Sequence, residues 1–189
     1  MQVEIRLKIN IKLINKIKMK LDQLPINEYA DFYSRYIQAI ENVELIEELE
    51  ISLHAFIRFV QDIPMDKFDF RYEEGKWTIK DIIQHLIDCE RIFSYRALRI
   101  SRNDKTPLPG FDEDDYAVNT NANERSIQDL LTEMAVVRQA TLSLFKSFSQ
   151  EQLKRLGTAS NKEISVRAIG FIIVGHQKHH QNIFEERYL

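Results

Sequence analysis

Residues 78–102 read TIKDIIQHLIDCERIFSYRALRISR, and this stretch decides the fold. Ile82, His85, Leu86, Cys89, Phe93 and Arg96 recur at spacings of three and four, which places them on one stripe of an α-helix. Thr78 followed three positions later by Asp81 is a variant of the capping box: the hydroxyl accepts from a backbone N–H that the first helical turn leaves unpaired. The spacing predicts a helix from Thr78 to about Arg102.

The same period recurs on both sides of it. Leu45, Leu49, Leu53, Phe56 and Val60 share a stripe over residues 44–62, which Pro64 ends. An aromatic connection (Phe68, Phe70, Tyr72, Trp77) then leads to Thr78, and Trp77 reads as its anchor on the bundle. Tyr29, Phe32, Tyr33, Tyr36, Ile37 and Ile40 place a shorter helix from Asn27 onward. On the C-terminal side, residues 103–124 contain Pro107, Pro109, Gly110 and the acidic run 112–115, and read as a solvated loop of the length at which lids occur. Ser126 with Asp129 opens a helix to about Phe148, Gly157 falls in a connection, and Ser165 caps a last helix reaching Tyr188. Four long helices and a shorter N-terminal one make an all-α chain, a bundle of about four helices. The chain has five glycines and four prolines in 189 residues, where typical usage would supply about 13 and 9. That shortage agrees with long helices and few turns.

Composition narrows the function. The 26 basic and 29 acidic residues leave a net charge of −3, which is not the signature of a nucleic-acid binder. A single cysteine, Cys89, excludes an intrachain disulfide and fits a reducing, cytoplasmic setting. No apolar run is long enough to cross a membrane. Residues 1–24 read as a basic N-terminal arm on a domain of residues 25–189. Val3, Ile5, Leu7, Ile9, Ile11 and Leu13 alternate with mostly polar residues as in a half-buried strand. Residues 1–20 carry six basic residues against Glu4, and the lysines interrupt every run that could serve as a secretory signal.

The chemistry lies in the histidines. His176 and His180, four apart on the last helix, point the same way one turn apart, the arrangement by which a helix offers two nitrogens to one metal ion. His85, in the middle of an apolar stripe, is the natural third. The three fit an open His₃ site, or equally three core histidines bonded to neighbours. Neutral imidazoles left unpartnered in a core would cost about 1–3 kcal/mol each, which a shared metal relieves. His179 reads as interface or pocket rim, and His54 as structural or exposed. Gln177 stands where a zinc protease of the HExxH type carries its glutamate, so that chemistry is unsupported.

At these residues the chain resembles the DinB-like superfamily, also described as YfiT-like metal-dependent hydrolases. The resemblance is carried by Gly75-Lys76-Trp77-Thr78-Ile79, by His85-Leu86-Ile87-Asp88-Cys89-Glu90-Arg91 with Arg96-Ala97-Leu98, by Lys105-Thr106-Pro107-Leu108-Pro109-Gly110-Phe111, and by Gly175-His176-Gln177-Lys178-His179-His180. It covers about residues 27–189. It implies an up-down-down-up four-helix bundle, often dimeric, with a divalent metal (zinc, nickel or iron) held at His85, His176 and His180. Relatives use a low-molecular-weight thiol such as bacillithiol or mycothiol in S-transfer, and one branch is an isomerase. Cys89 stands where relatives are expected to carry threonine or another small residue.

The expected function is therefore a metal-dependent enzyme acting on a small molecule, by thiol-dependent S-transfer or by hydrolysis. The competing reading is a non-catalytic metal- or ligand-binding bundle in stress response. Asp88, Glu90, Gln177 and His179 are candidate proton-transfer groups beside the metal. Ion pairs with Arg91 or Arg96 are the competing role for the two carboxylates, and Cys89 is a candidate fourth ligand. A homodimer is expected, without nucleic-acid or membrane partners.

Overall fold

The computed structural model describes residues 18–189. Four long helices form the body: α1 (Leu45–Gln61), α2 (Ile79–Ser101), α3 (Ile127–Lys146) and α4 (Val166–Ile183). Each begins on a side chain that accepts an otherwise unpaired N–H: Glu44 from Glu47, Thr78 from Asp81, Ser126 from Asp129 and Ser165 from Ala168. The caps expected at Thr78, Ser126 and Ser165 are thus in place.

Cross-helix pairs fix the directions. Glu90 meets Arg138 and Ser94 meets Thr141, so α2 and α3 run parallel. Leu45 packs against Gly170 and the Ser52 carbonyl accepts from Gln177, so α1 and α4 are also parallel. Glu50 pairs with Lys146 and Ser52 with Arg138, which makes α1 and α3 antiparallel. His85 lies against His180 and Phe93 against His176, which does the same for α2 and α4. The bundle is up-down-down-up. Parallel α2 and α3 also explain the long connection between them, because the chain must return about 30 Å, the length of a 20-residue helix, before α3 begins.

Three segments differ from the sequence expectation. The connection over 103–124 is not uniformly a loop: Glu113–Val118 is helical, capped by Asp112, whose carboxylate accepts from the N–H groups of Asp114 and Asp115. Its acidic residues fall in a first helical turn, where the helix dipole favours them. The periodic stretch from Asn27 is not one helix but short turns, Ile26–Glu28, Asp31–Tyr33 and Ser34–Ile37, because this segment crosses α4. The crossing is at Gly175, where a Cβ would lie 2.1 Å from the Tyr36 carbonyl oxygen. The connection around Gly157 is a hairpin, β1 (Leu156–Ala159) with β2 (Lys162–Ser165), joined at Ser160 and Asn161. Both turn residues have positive φ, 51° and 61°, as the tight two-residue hairpin turn requires. Leu108 bonds to the outer edge of this hairpin through Thr158 and Ser160.

Alanine is a better helix former than glycine by about 1 kcal/mol, but at Gly175 the opposing backbone contact decides. Gly175→Ala is expected to destabilise the fold by about 1–3 kcal/mol, read from urea unfolding. An unchanged or raised stability would mean that Tyr36 does not sit against this helix.

Residues 18–24 lie on the bundle, with Met19 buried and Leu21 bonded to Val43. The alternating pattern from Val3 to Leu13 lies outside the described residues. Among the described residues no helix is long and apolar enough to cross a membrane.

The core is two apolar clusters, one toward each end of the bundle, with a polar layer between them. At its centre is Arg138, 0% exposed. Its five N–H groups are all used: two on the Glu90 carboxylate at 2.8 and 3.0 Å, one on Gln177, one on the Leu49 carbonyl and one on the Ser52 hydroxyl. That network joins all four helices at the level where His85, His176 and His180 stand.

Candidate metal centre

The three histidines converge. The Nε2 atom of His176 is 3.0 Å from Nε2 of His85 and 3.1 Å from Nε2 of His180. Ligand atoms of all three lie within 4.8 Å of one another. A neutral imidazole nitrogen offers one N–H or one lone pair, so His176 Nε2 cannot satisfy both neighbours by hydrogen bonding. A cation at the point they share would.

Their protonation suits the same role. Burial first, then the neighbouring histidines, hold His176 and His180 well below the usual imidazole value, and burial brings His85 down to about 4. Neutral imidazoles with free lone pairs are what a metal takes as ligands. His180 Nδ1 is buried without a partner among the described residues, so burial rather than an acceptor fixes that ring. Trp77 lies against the His85 ring, centroids 4.8 Å apart, and Tyr36 against the His176 ring at 4.9 Å. Trp77 is itself fixed by the Tyr188 hydroxyl, which donates to its carbonyl at 2.6 Å.

These depressed values carry a pH dependence with a definite sign. The unfolded chain takes up protons below about pH 6.5, while the folded sites resist until much lower pH. Stability of the metal-free protein should therefore fall as pH drops from 6.5 toward 4, by about 1.4 kcal/mol per pH unit for each such histidine. Urea unfolding of chelator-treated protein at pH 7.5 and 5.0 measures it. His176→Ala should give a shallower slope, and an equal slope would contradict the burial of a neutral ring there.

His85 and His176 form part of the wall of a cavity of about 550 Å³, which Tyr33, Tyr36, Phe93 and Phe111 also line. A second cavity, of about 820 Å³, reaches His180 from the side of Trp77, Asp81 and Tyr188. Both fall within the range of small-molecule sites, about 300–1,000 Å³.

The DinB superfamily is matched over residues 48–184. The chain belongs to this superfamily. Two curated relatives, each named a putative metal-dependent hydrolase, agree with that. One, from Oceanobacillus iheyensis, is 24% identical over 144 residues, covering 75% of this chain and 82% of the relative. The other, YfiT of Bacillus subtilis, is 24% identical over 161 residues, covering 82% and 88%. The solved structure of Bacillus subtilis YfiT, described as a four-helix bundle of unusual topology, superposes with a TM-score of 0.67 at 16% identity, over 86% of this chain and 90% of that one. A DinB-like protein of the same organism superposes at 0.52 with 14% identity, over 75% and 86%. These likenesses establish the DinB fold.

Within this DinB bundle the other candidates fall in different places. Glu90 and Gln177 face the Arg138 network, and Gln177 also donates to the Ser52 carbonyl at 2.9 Å. The partner of Glu90 is therefore Arg138, not Arg91 or Arg96. Asp88 accepts from Gln84 at 3.0 Å and lies 3.7 Å from Arg91. Burial raises its carboxyl value against these partners. His179 is partly buried beside Tyr36, centroids 5.3 Å apart, and His54 is exposed. Cys89 packs on His85, its Sγ 3.6 Å from Nδ1. Burial, then Glu113 and Asp88, push its thiol up to about 12.

Sequence reasoning missed Glu113. It lines the 550 Å³ cavity and also a small void bounded by His85, Asp88 and Cys89. The signal available was the pair Phe111 and Tyr116 bracketing the acidic run, whose rings pack at 5.1 Å.

Proposed function

We propose that this DinB protein is a metal-dependent enzyme acting on a small molecule, with His85, His176 and His180 holding a divalent transition ion and hydrolysis as the leading reaction. The observation that carries this is the convergence of three neutral, largely buried imidazoles, with His85 and His176 on the wall of one cavity and His180 on that of the other. A bound divalent ion supplies Lewis acidity toward an oxygen or sulfur donor, and three neutral ligands leave its charge uncompensated. The names of the relatives support the same reading.

The chain's own residues do the rest. Trp77 and Cys89 pack on the His85 ring and Tyr36 on that of His176, so these two rings keep their aim. The rings of Tyr33, Phe93 and Phe111 exclude water and receive the apolar body of a substrate. Glu113, on the rim beside His85, is the carboxylate placed to take a proton from an entering nucleophile. Glu113→Gln is expected to lower kcat by about 10²–10⁴-fold with metal content unchanged, measured on protein of known metal occupancy.

A second reading, transfer to a thiol, is favoured by the second cavity at His180, which gives a second reactant such as bacillithiol its own approach. The test uses full-length protein loaded in turn with zinc, nickel or iron, against small esters, amides and electrophiles, with and without a low-molecular-weight thiol. Product release without thiol supports hydrolysis, and thiol consumed in step with electrophile supports transfer. Loaded protein that does neither is a non-catalytic metal-binding bundle.

A further inference from the structure

Three arginines are buried among the described residues, Arg96, Arg138 and Arg167. Arg138 is paired with Glu90 and Arg167 with Glu28. Arg96, 2% exposed, has no carboxylate within ion-pair distance among the described residues. Its Nη2 donates to the Pro109 carbonyl at 2.8 Å and to the Ser160 hydroxyl at 3.0 Å. The Tyr33 hydroxyl also lies near it. A buried cation held only by neutral dipoles is costly, and buried charges in folded proteins are paired. Arg96 lines the same cavity as His85 and His176.

The surroundings are built around it. Leu108 clamps the loop carrying Pro109 onto the hairpin edge. Gly110 lets that loop close, since a Cβ there would already lie 3.3 Å from the Ser160 Oγ. Ser160 is the first residue of the hairpin turn, at φ 51°. Its hydroxyl thereby reaches the guanidinium. The rings of Phe93 and Phe111 flank Arg96 at 5.9 and 5.8 Å.

We propose that Arg96 is the binding site for a carboxylate of the substrate, so that the small molecule is an organic monoanion whose acid group rests on Arg96 while its reacting bond lies at the three histidines. This rests on reading the histidines as the reacting centre; the anion site itself needs no metal. A guanidinium matches a carboxylate fork to fork. A single buried cation between aromatic rings suits a planar monoanion. Besides Arg96 the cavity is lined by Asp31 and Glu113 against the exposed Lys162, so the second charge of a dianionic phosphate would meet a rim that is negative on balance.

The test is a ligand-observed NMR titration of full-length, chelator-treated protein with 3-phenylpropionate, its neutral amide 3-phenylpropanamide, and phenyl phosphate. The acid is expected to bind at least about tenfold more tightly than the amide. Arg96→Gln should erase the difference. Arg96→Lys, which keeps the charge but loses the fork, should retain part of it, and it serves if the glutamine variant does not fold. Equal binding of acid and amide, tighter binding of phenyl phosphate, or a preference undiminished in Arg96→Gln would each overturn the proposal. So would a preference seen only after zinc loading, because the acid would then be a metal ligand. A preference in the metal-free protein that depends on Arg96 supports it. That result stands even if the protein takes up no metal, an outcome that would sink the functional reading alone.

Discussion

Arg138→Ala is expected to lower the free energy of unfolding by about 3–5 kcal/mol, the cost of leaving one partner of a buried ion pair uncompensated. The effect is large because the loss is not local. Glu90 would remain buried with its charge, and Gln177, the Leu49 carbonyl and the Ser52 hydroxyl would each lose a donor. The double substitution Arg138→Met with Glu90→Leu should recover most of that loss, since apolar residues of similar volume often replace a buried pair without penalty. Urea unfolding of the three proteins decides it. If Arg138→Ala costs under about 1 kcal/mol, the range of a surface pair, the guanidinium is not buried as described. Gln177 follows His176 directly, so this network also fixes the turn of α4 that aims the histidines.

The second large effect concerns metal. Chelator-treated protein should be stabilised by about 2.7 kcal/mol when zinc, nickel or iron is present at one hundred times its dissociation constant. His176→Ala should show almost none of this at the same concentration, because His176 is the ring whose Nε2 lies close to both of the others. Thermal unfolding with and without metal reads both proteins. Equal stabilisation of the variant would place the metal elsewhere.

Three of the long helices were legible because two signals coincide at their starts, a capping side chain and the onset of a three-four apolar period; the helix over 44–62 was read from its stripe and from Pro64. Residues 27–40 carried the period without such a start, and their aromatics pack across α4 instead of extending a helix. The hairpin was hidden because each strand is four residues long and its turn is Ser-Asn, without the glycine that usually marks one. The histidine cluster was legible from spacing because i, i+4 geometry is local and His85 sat on an apolar stripe. Arginine roles were not. Arg96 and Arg138 are both basic residues on buried helix faces, and only the fold shows that Arg138 has Glu90, 48 positions away in sequence, and that Arg96 has no acid partner among the described residues. Glu113 was obscured for a similar reason, since an acidic run reads as solvated until its helix is placed beside His85.

His85, His176 and His180 are proposed to hold one metal ion. The most direct measurement is metal content by mass spectrometry of the full-length protein, purified without an affinity tag or chelator. About one equivalent of a transition metal per chain is expected, or full uptake of one equivalent on adding zinc, nickel or iron. Protein that is metal-free as purified and takes up none of the three would contradict the account, and would make His85, His176 and His180 core residues of the bundle.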